Sequence, residues 1–135
     1  LRYNGSPLTG TEQIELYGEE WLVYSLFSNL FINAVEAAPG GSTIFIDIMT
    51  EKGWNDLIIQ NEGAVPVPIR NGFFEKYTTY GKKKGTGLGT YIAKLMVETM
   101  QGKIEMTTSE ADGTAITVRL PAYTKERSSM YGNED

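Results

Sequence analysis

Neither cysteine nor histidine occurs among the 135 residues of the chain. The absence of cysteine excludes disulfides and thiolate metal sites, and it permits a cytosolic location. The absence of histidine removes the commonest general base and the commonest metal ligand, and it leaves no imidazole on the chain to accept a phosphoryl group. We therefore expect the chemistry to depend on Asp, Glu, Asn, Lys, Thr and backbone amides, together with a hard cation.

Long hydrophobic runs are also missing. No stretch approaches the ~18 apolar residues that span a bilayer, and nothing near residue 1 resembles a signal peptide. The net charge of −5 argues against a nucleic-acid or anionic-membrane surface, apart from the basic cluster at 82–84. We therefore expect a cytoplasmic domain that binds no nucleic acid and makes no membrane contact.

The length and composition of the chain favour a single domain over residues 1–121, followed by a polar tail over 122–135. Hydrophobic periodicity predicts strands and helices without an internal repeat. The predicted strands cover 2–4, 13–17, 42–50, 57–61, 103–109 and 114–120. The predicted helices cover 19–38 and 88–101, the second of which Gly102 ends, and residues 73–79 could form a turn or two of helix. This order predicts the α+β class, as a two-layer α/β sandwich whose mixed sheet carries helices on one face.

The first predicted helix, residues 19–38, is apolar almost all round, which is typical of a core helix. Its polar residues Ser25, Asn29, Asn33 and Glu36 nevertheless fall on one narrow stripe. Polar side chains on a buried stripe need partners. They could hydrogen-bond a neighbouring loop, or they could line a cavity with oxygen donors that suit magnesium.

Two glycine-containing stretches follow. Asn61 to Gly63 comes at the end of a short buried strand, a usual place to contact the polar edge of a ligand, although a plain turn explains it as well. The stretch "KKKGTGLGT" (82–90) places three alternate glycines before a helix, where backbone N–H groups and the positive helix end favour phosphate. It has neither the Walker A order nor the Rossmann fingerprint, and a flexible hinge is the alternative.

Together these stretches resemble the ATP-binding domain shared by gyrase, heat-shock chaperones, histidine kinases and mismatch-repair proteins, the GHKL or Bergerat fold. "NLFINAVEA" (29–37) resembles its N box, and "NEGAVP" (61–66) resembles its first glycine box. "FFEKYTT" (73–79) resembles the F box of histidine kinases, and "GTGLGT" (85–90) resembles the second glycine box. The resemblance covers residues 13–121 and implies ATP and Mg²⁺ as ligands.

The resemblance also implies a role for each matched residue of the N box. Asn33 would coordinate the Mg²⁺ that bridges the nucleotide phosphates. Asn29 would help to hold the phosphates or the waters of the ion. Glu36 would orient these residues without itself binding the ion. Asn29 and Asn33 are therefore the expected catalytic residues, and Asn33 is the expected metal ligand.

The glycine boxes would bind the rest of the nucleotide. Asn61 stands where the family has an aspartate that contacts the adenine amino group, and Gly63 would let the backbone pass close to the base. Residues 64–84 would form a mobile ATP lid. The residues expected to bind the phosphates are Lys82, Gly85, Thr86, Gly87, Leu88 and Gly89.

Two residues depart from the family pattern. Asn61 is neutral and is a weaker acceptor than a carboxylate, so we expect some loss of affinity. Val65 replaces the second glycine of the first glycine box, so the loop must bend differently there.

Asn29 indicates the branch of the family, because the branches that hydrolyse ATP carry a glutamate at this position. The resemblance therefore implies the catalytic domain of a sensor histidine kinase. It would donate the γ-phosphoryl group of Mg-ATP to a histidine on a separate dimerisation domain, upstream of a response regulator. The isolated domain is expected to be monomeric and cytoplasmic, within a parent protein that can be membrane-anchored. The alternatives are a nucleotide-binding or interaction module without phosphotransfer and, disfavoured by Asn29, an ATP-hydrolysing relative.

Overall fold

The computed structural model describes residues 2–7, 9, 20–76 and 89–122. Within those residues the chain forms six strands and two α-helices, with a 3-10 helix at Val67–Ile69. The helices are α1 (Glu20–Ala37) and α2 (Gly89–Thr99), and the strands are β1 (Arg2–Tyr3), β2 (Ser6–Pro7), β3 (Ile44–Glu51), β4 (Trp54–Asn61), β5 (Lys103–Ser109) and β6 (Gly113–Pro121). The strands lie in the order β2-β1-β3-β4-β6-β5, and among them only β1 and β3 pair in parallel.

Both helices lie on one face of this mixed sheet. On that face Leu57 and Ile59 of β4 pair with Val118 and Ile116 of β6, and all four side chains are buried. The buried residues of α1 and α2 join them in a single hydrophobic core. The predicted two-layer α+β fold is confirmed, since one apolar sheet face is covered by one layer of helices.

The opposite face of the sheet mixes charged and apolar side chains, since Phe45 and Met49 are exposed on it beside Asp56 and Arg119. Arg119 of β6 donates hydrogen bonds of 2.8 and 3.0 Å to the Asp56 carboxylate of β4 and lies 3.6 Å from a carboxylate oxygen of Glu51. The hydrogen bond to Asp56, followed by the charge of that carboxylate, raises the pKa of Arg119, so the guanidinium stays protonated.

Strand β4 is longer than the sequence predicts, whereas β3 runs from Ile44 to Glu51 instead of over the predicted 42–50. The predicted strands 42–50 and 57–61 leave residues 51–56 between them as a turn, but β4 already begins at Trp54. The polar residues that indicate a turn find partners inside the sheet. Asn55 is buried and accepts a hydrogen bond of 2.7 Å from Thr50 Oγ1, and Asp56 binds the arginine described above.

Helix α2 ends earlier than the sequence predicts. After Thr99 the chain forms a Schellman motif, in which Gly102 N–H donates to Val97 O at 2.8 Å and Gln101 N–H donates to Glu98 O at 3.0 Å. The left-handed residue of the motif is Gln101, with a φ of 63°, and Gly102, the predicted helix stop, is the residue that follows it. Neither helix of the described residues is long and apolar enough to cross a membrane.

Two predicted segments fall outside the described residues. They are the strand over 13–17 and, apart from its first residue, the tail over 122–135. Ala122 N–H donates a hydrogen bond of 2.9 Å to Gly53 O, so the folded sheet includes at least this residue. The division between a domain over 1–121 and a tail stays a prediction.

Helix α1 is buried along one stripe rather than all round. Leu22, Leu26, Leu30 and Ala34 are at most 8% exposed, whereas Tyr24 on the other side is 74% exposed. The exposed large apolar residues of α1 are Trp21, Tyr24, Phe31, Ile32 and Val35. The prediction of a helix buried on all sides is therefore wrong, because a helix in a two-layer fold faces the sheet with one side only.

This orientation can be tested with two substitutions on α1. Leu30→Ala should lower the free energy of unfolding by roughly 2–5 kcal/mol, because it leaves a cavity in the core. Ile32→Ala, on the exposed side, should change it by no more than about 0.5 kcal/mol. Urea unfolding followed by circular dichroism measures both values. Equal losses in the two variants would contradict the assigned orientation.

Candidate active site

Three segments meet on the helix side of the sheet: α1, the loop after β4 and the start of α2. A Cβ placed on Gly89 would lie 3.9 Å from Asn29 Oδ1, so α2 begins beside the middle of α1. A Cβ placed on Gly63 would lie 3.5 Å from Ala37 O, so the loop after β4 lies beside the end of α1. Asn29 and Ala37 are about 12 Å apart along the helix axis. This separation is comparable to that between the base and the terminal phosphate of a nucleotide.

The polar stripe of α1 lies at the edge of its buried side. Asn29 and Asn33 are half-buried, and Glu36 is exposed, so the stripe is not buried as the sequence predicts. Asn29 Nδ2 donates a hydrogen bond of 2.9 Å to Ser25 O within the same helix. This bond leaves Asn29 Oδ1 as an acceptor that faces the first residue of α2.

Asn61 is the last residue of β4, as the sequence predicts, and only 4% of it is exposed. Its Nδ2 donates a hydrogen bond of 2.7 Å to Glu62 O. Among the described residues no donor binds Asn61 Oδ1. Because the side-chain nitrogen already donates to Glu62 O, the buried amide presents its oxygen to a ligand as a hydrogen-bond acceptor.

The backbone around Asn61 is close-packed. Gly63 has a φ of 95°, a conformation that residues with a Cβ rarely adopt. Gly113, at the start of β6, has a φ of 78°, and a Cβ there would collide with Asn61 O. Glycine at 113 lets the β5–β6 hairpin approach the end of β4, and glycine at 63 permits the positive φ of the loop that follows.

Thr108 of β5 and Thr114 of β6 were not identified from the sequence as part of this region. Thr114 is the cross-strand neighbour of Asn61, and its Oγ1 donates a hydrogen bond of 2.8 Å to Gly63 O. Thr108 Oγ1 lies 2.9 Å from Thr114 Oγ1 and accepts a hydrogen bond of 2.8 Å from Val65 N–H. The signal available in the sequence was strand alternation, which places both hydroxyls on the core face of the final hairpin.

Val65, which replaces a family glycine, has its side chain in the core and is 8% exposed. The N–H of Val65 donates to Thr108 Oγ1, and its carbonyl oxygen accepts a hydrogen bond of 2.7 Å from Arg70 Nε. Both backbone groups of Val65 therefore have partners within the protein.

The first part of the predicted lid is packed on the domain. Residues 73–79 could form a turn or two of helix by their sequence, and in the described part residues 73–76 form a turn. Phe73 is buried, and its carbonyl oxygen accepts a hydrogen bond of 2.6 Å from Thr90 Oγ1. Lys76 Nζ lies 5.1 Å from the centre of the Tyr91 ring.

Residues 77–88 lie outside the described part of the chain. They include the rest of the predicted lid and five of the predicted phosphate ligands, namely Lys82, Gly85, Thr86, Gly87 and Leu88. Gly89, the sixth, is described and is half-buried at the start of α2, beside Asn29.

The donor set suits magnesium held together with a nucleotide. The described residues contain no group of three His, Cys, Asp or Glu side chains that could hold a metal by themselves. The side chain that α1 is shown to offer beside Gly89 is the amide of Asn29, whose oxygen is a hard donor. Magnesium retains several waters and is bound through few protein ligands plus substrate phosphates, so the residues present fit it.

Comparison with known proteins agrees with this geometry. The family described as "Histidine kinase-, DNA gyrase B-, and HSP90-like ATPase" matches residues 18–124. Sporulation kinase A of Bacillus subtilis is 32% identical over 111 residues, which are 82% of this chain and 18% of that protein. The heme sensor protein HssS of Staphylococcus aureus is 32% identical over 118 residues, which are 84% of this chain and 25% of that protein. The chain thus spans a quarter or less of the length of these relatives.

Solved structures show the same fold. A mycobacterial sensor histidine kinase, MprB, superimposes with a TM-score of 0.71 at 24% identity, over 79% of this chain and 76% of that chain. The nucleotide-free catalytic domain of the histidine kinase ThkA superimposes with a TM-score of 0.68 at 25% identity, over 78% of this chain and 69% of that chain. The resemblance noted in the sequence is confirmed: the chain belongs to the histidine kinase-, DNA gyrase B- and HSP90-like ATPase family, as a catalytic domain of the histidine-kinase type.

Proposed function

We propose that the chain binds Mg-ATP and donates the γ-phosphoryl group to a histidine on a separate dimerisation domain. The observation that carries this proposal is the placement of two amide oxygens along one edge of the domain. Asn29 Oδ1 faces the start of α2, and Asn61 Oδ1 is an available acceptor at the end of β4. The chain has no histidine of its own, so the acceptor must belong to another domain.

At the base end, Asn61 would accept a hydrogen bond from the 6-amino group of adenine. Because Asn61 Nδ2 is held by Glu62 O, the side chain presents its oxygen rather than its nitrogen. The 6-oxo group of guanine is itself an acceptor. It could not donate to Asn61 Oδ1, so this hydrogen bond would be missing with a guanine nucleotide. A site built around a hydrogen bond discriminates strongly against a ligand that cannot form it.

At the phosphate end, Asn33 would coordinate Mg²⁺ and Asn29 would hold the phosphates or the waters of the ion. Glu36 lies on the same stripe of α1 and would orient these ligands. Bound Mg²⁺ neutralises charge on the phosphates. The remaining phosphate contacts would come from Lys82, Thr86, Leu88 and the glycines Gly85, Gly87 and Gly89, whose backbone N–H groups suit an anion at a helix start.

In the transfer itself, the bond from the γ-phosphorus to the β–γ bridging oxygen breaks and a bond to an imidazole nitrogen forms, while ADP leaves. Such a reaction depends mainly on positioning and on neutralising charge. A neutral imidazole is a nucleophile without help from a strong base, so the amide of Asn29 suits this acceptor better than it suits water. The donor domain would serve a response regulator downstream, and we place it in the cytoplasm.

A second candidate is a nucleotide-binding or interaction module that transfers no phosphoryl group. The observation that favours it is the neutral Asn61 at the base end, since a neutral acceptor binds less strongly than a charged one.

The role of Asn33 can be tested by titration calorimetry with Mg-ADP. Asn33→Ala should weaken binding about tenfold or more, because it removes an oxygen ligand of the ion. The same titration in EDTA should differ little between wild type and variant, since no ion is then present to be held. Val35→Ala, on the exposed side of α1, should bind Mg-ADP as wild type does. Binding by Asn33→Ala that equals wild type in the presence of Mg²⁺ would remove Asn33 from the site.

The role of Asn61 can be tested through the preference for ADP over GDP. Asn61→Leu should weaken Mg-ADP binding about tenfold and bring the two affinities close together, because the acceptor oxygen is lost. Gln60→Leu, a neighbouring amide on the opposite face of the sheet, should keep the wild-type preference. A preference that survives in Asn61→Leu shows that another group recognises the base.

Phosphotransfer requires a second protein. The chain mixed with labelled ATP alone should not become labelled, because it lacks histidine. Addition of the separately produced histidine-bearing dimerisation domain of a relative, such as sporulation kinase A, should give label on that domain, and a variant without the histidine should stay unlabelled. Tight Mg-ADP binding without transfer to a panel of such domains would favour the binding module, and steady-state hydrolysis by the chain alone would favour an ATPase.

A further inference from the structure

A chain of hydrogen bonds joins the final hairpin to the loop after β4. Val65 N–H donates to Thr108 Oγ1 at 2.8 Å, and Thr114 Oγ1 donates to Gly63 O at 2.8 Å. The two threonine oxygens are 2.9 Å apart. Since Thr114 has one hydroxyl proton and gives it to Gly63 O, the proton between the two hydroxyls must come from Thr108.

The direction of every bond in this relay is therefore fixed. Thr108 accepts from Val65 N–H and donates to Thr114, which in turn donates to Gly63 O. The relay holds the loop at two backbone points, one on each side of Ala64. Thr114 is also the cross-strand neighbour of Asn61, so the same relay is anchored directly beside the amide that presents an acceptor.

We propose that Thr108 is a positioning residue for recognition of the base. It fixes the loop that contains Gly63 relative to Asn61 Oδ1, although Thr108 does not itself contact the nucleotide. This inference rests on the proposed function, because it assigns Thr108 to the base end of that site.

The proposed positioning role depends on the hydroxyl of Thr108, which makes both hydrogen bonds of the relay. Valine has almost the same shape but can neither accept from Val65 N–H nor donate to Thr114, so the buried loop amide would lose its partner. Serine keeps both interactions and loses only a methyl group. Thr107, the adjacent residue of β5, points to the other face of the sheet and is exposed, which makes Thr107→Val a matched control.

The test measures the affinities of Mg-ADP and Mg-GDP for wild type, Thr108→Val, Thr108→Ser and Thr107→Val. Thr108→Val should bind Mg-ADP about tenfold more weakly and should show a smaller ratio of ADP to GDP affinity. Thr108→Ser should restore both values, and Thr107→Val should equal wild type. A purely structural role would lower the unfolding midpoint of Thr108→Val and leave the ratio of affinities unchanged, which would overturn the proposal.

Hydrogen exchange provides a second readout that does not depend on the folding of Thr108→Val. The Val65 amide should be protected in the wild type and in Thr108→Ser, because the relay is present before nucleotide binds. Exchange of this amide at the rate of an unprotected loop would overturn the proposal even if Mg-ADP binds well. Failure of the wild type to bind Mg-ADP at all would instead overturn the proposed function, and this inference with it.

Discussion

The burial of one stripe of α1 against the sheet is the constraint on which both the fold and the site depend. Leu22, Leu26, Leu30 and Ala34 recur every four residues and fill the core. Each fully buried leucine contributes about 1.5–3 kcal/mol, so rotation of α1 about its axis would be costly. The helix is consequently held in one orientation.

That orientation determines where the polar residues of α1 lie. Asn29 and Asn33 immediately precede the buried Leu30 and Ala34, and a helix turns by about 100° from one residue to the next. Both amides therefore lie at the border between the core and solvent, where they are half-buried. A ligand can reach such groups, and the surrounding protein still strengthens their hydrogen bonds.

The fold could be predicted largely because its strands and helices have clear periodicity. Alternation in β3 and the apolar spacing of α2 required no knowledge of distant residues. The errors occur where distant residues decide the outcome: Asp56 indicates a turn by its type, but it pairs with Arg119 on another strand. The buried side of α1 could not be identified because apolar residues occur on both of its sides.

Part of the candidate site could likewise be predicted from the sequence, and part could not. Asn29, Asn33 and Asn61 stand out because polar residues are unexpected in apolar segments, and the structure brings Asn29 close to Gly89. Thr108 and Thr114 carry no such signal, since threonine is common in exposed strands. Their importance arises only from the register of β4, β5 and β6, which places their hydroxyls beside the loop.

The start of α2 is fixed from two sides. Phe73 O accepts a hydrogen bond from Thr90 Oγ1, and the Lys76 ammonium lies over the Tyr91 ring, so residues 73–76 pack against the first turn of α2. On its other side, Gly89 lies beside Asn29 of α1. A change in the packing of Phe73 would therefore be felt at Asn29 through the position of α2, although Phe73 itself belongs to neither helix.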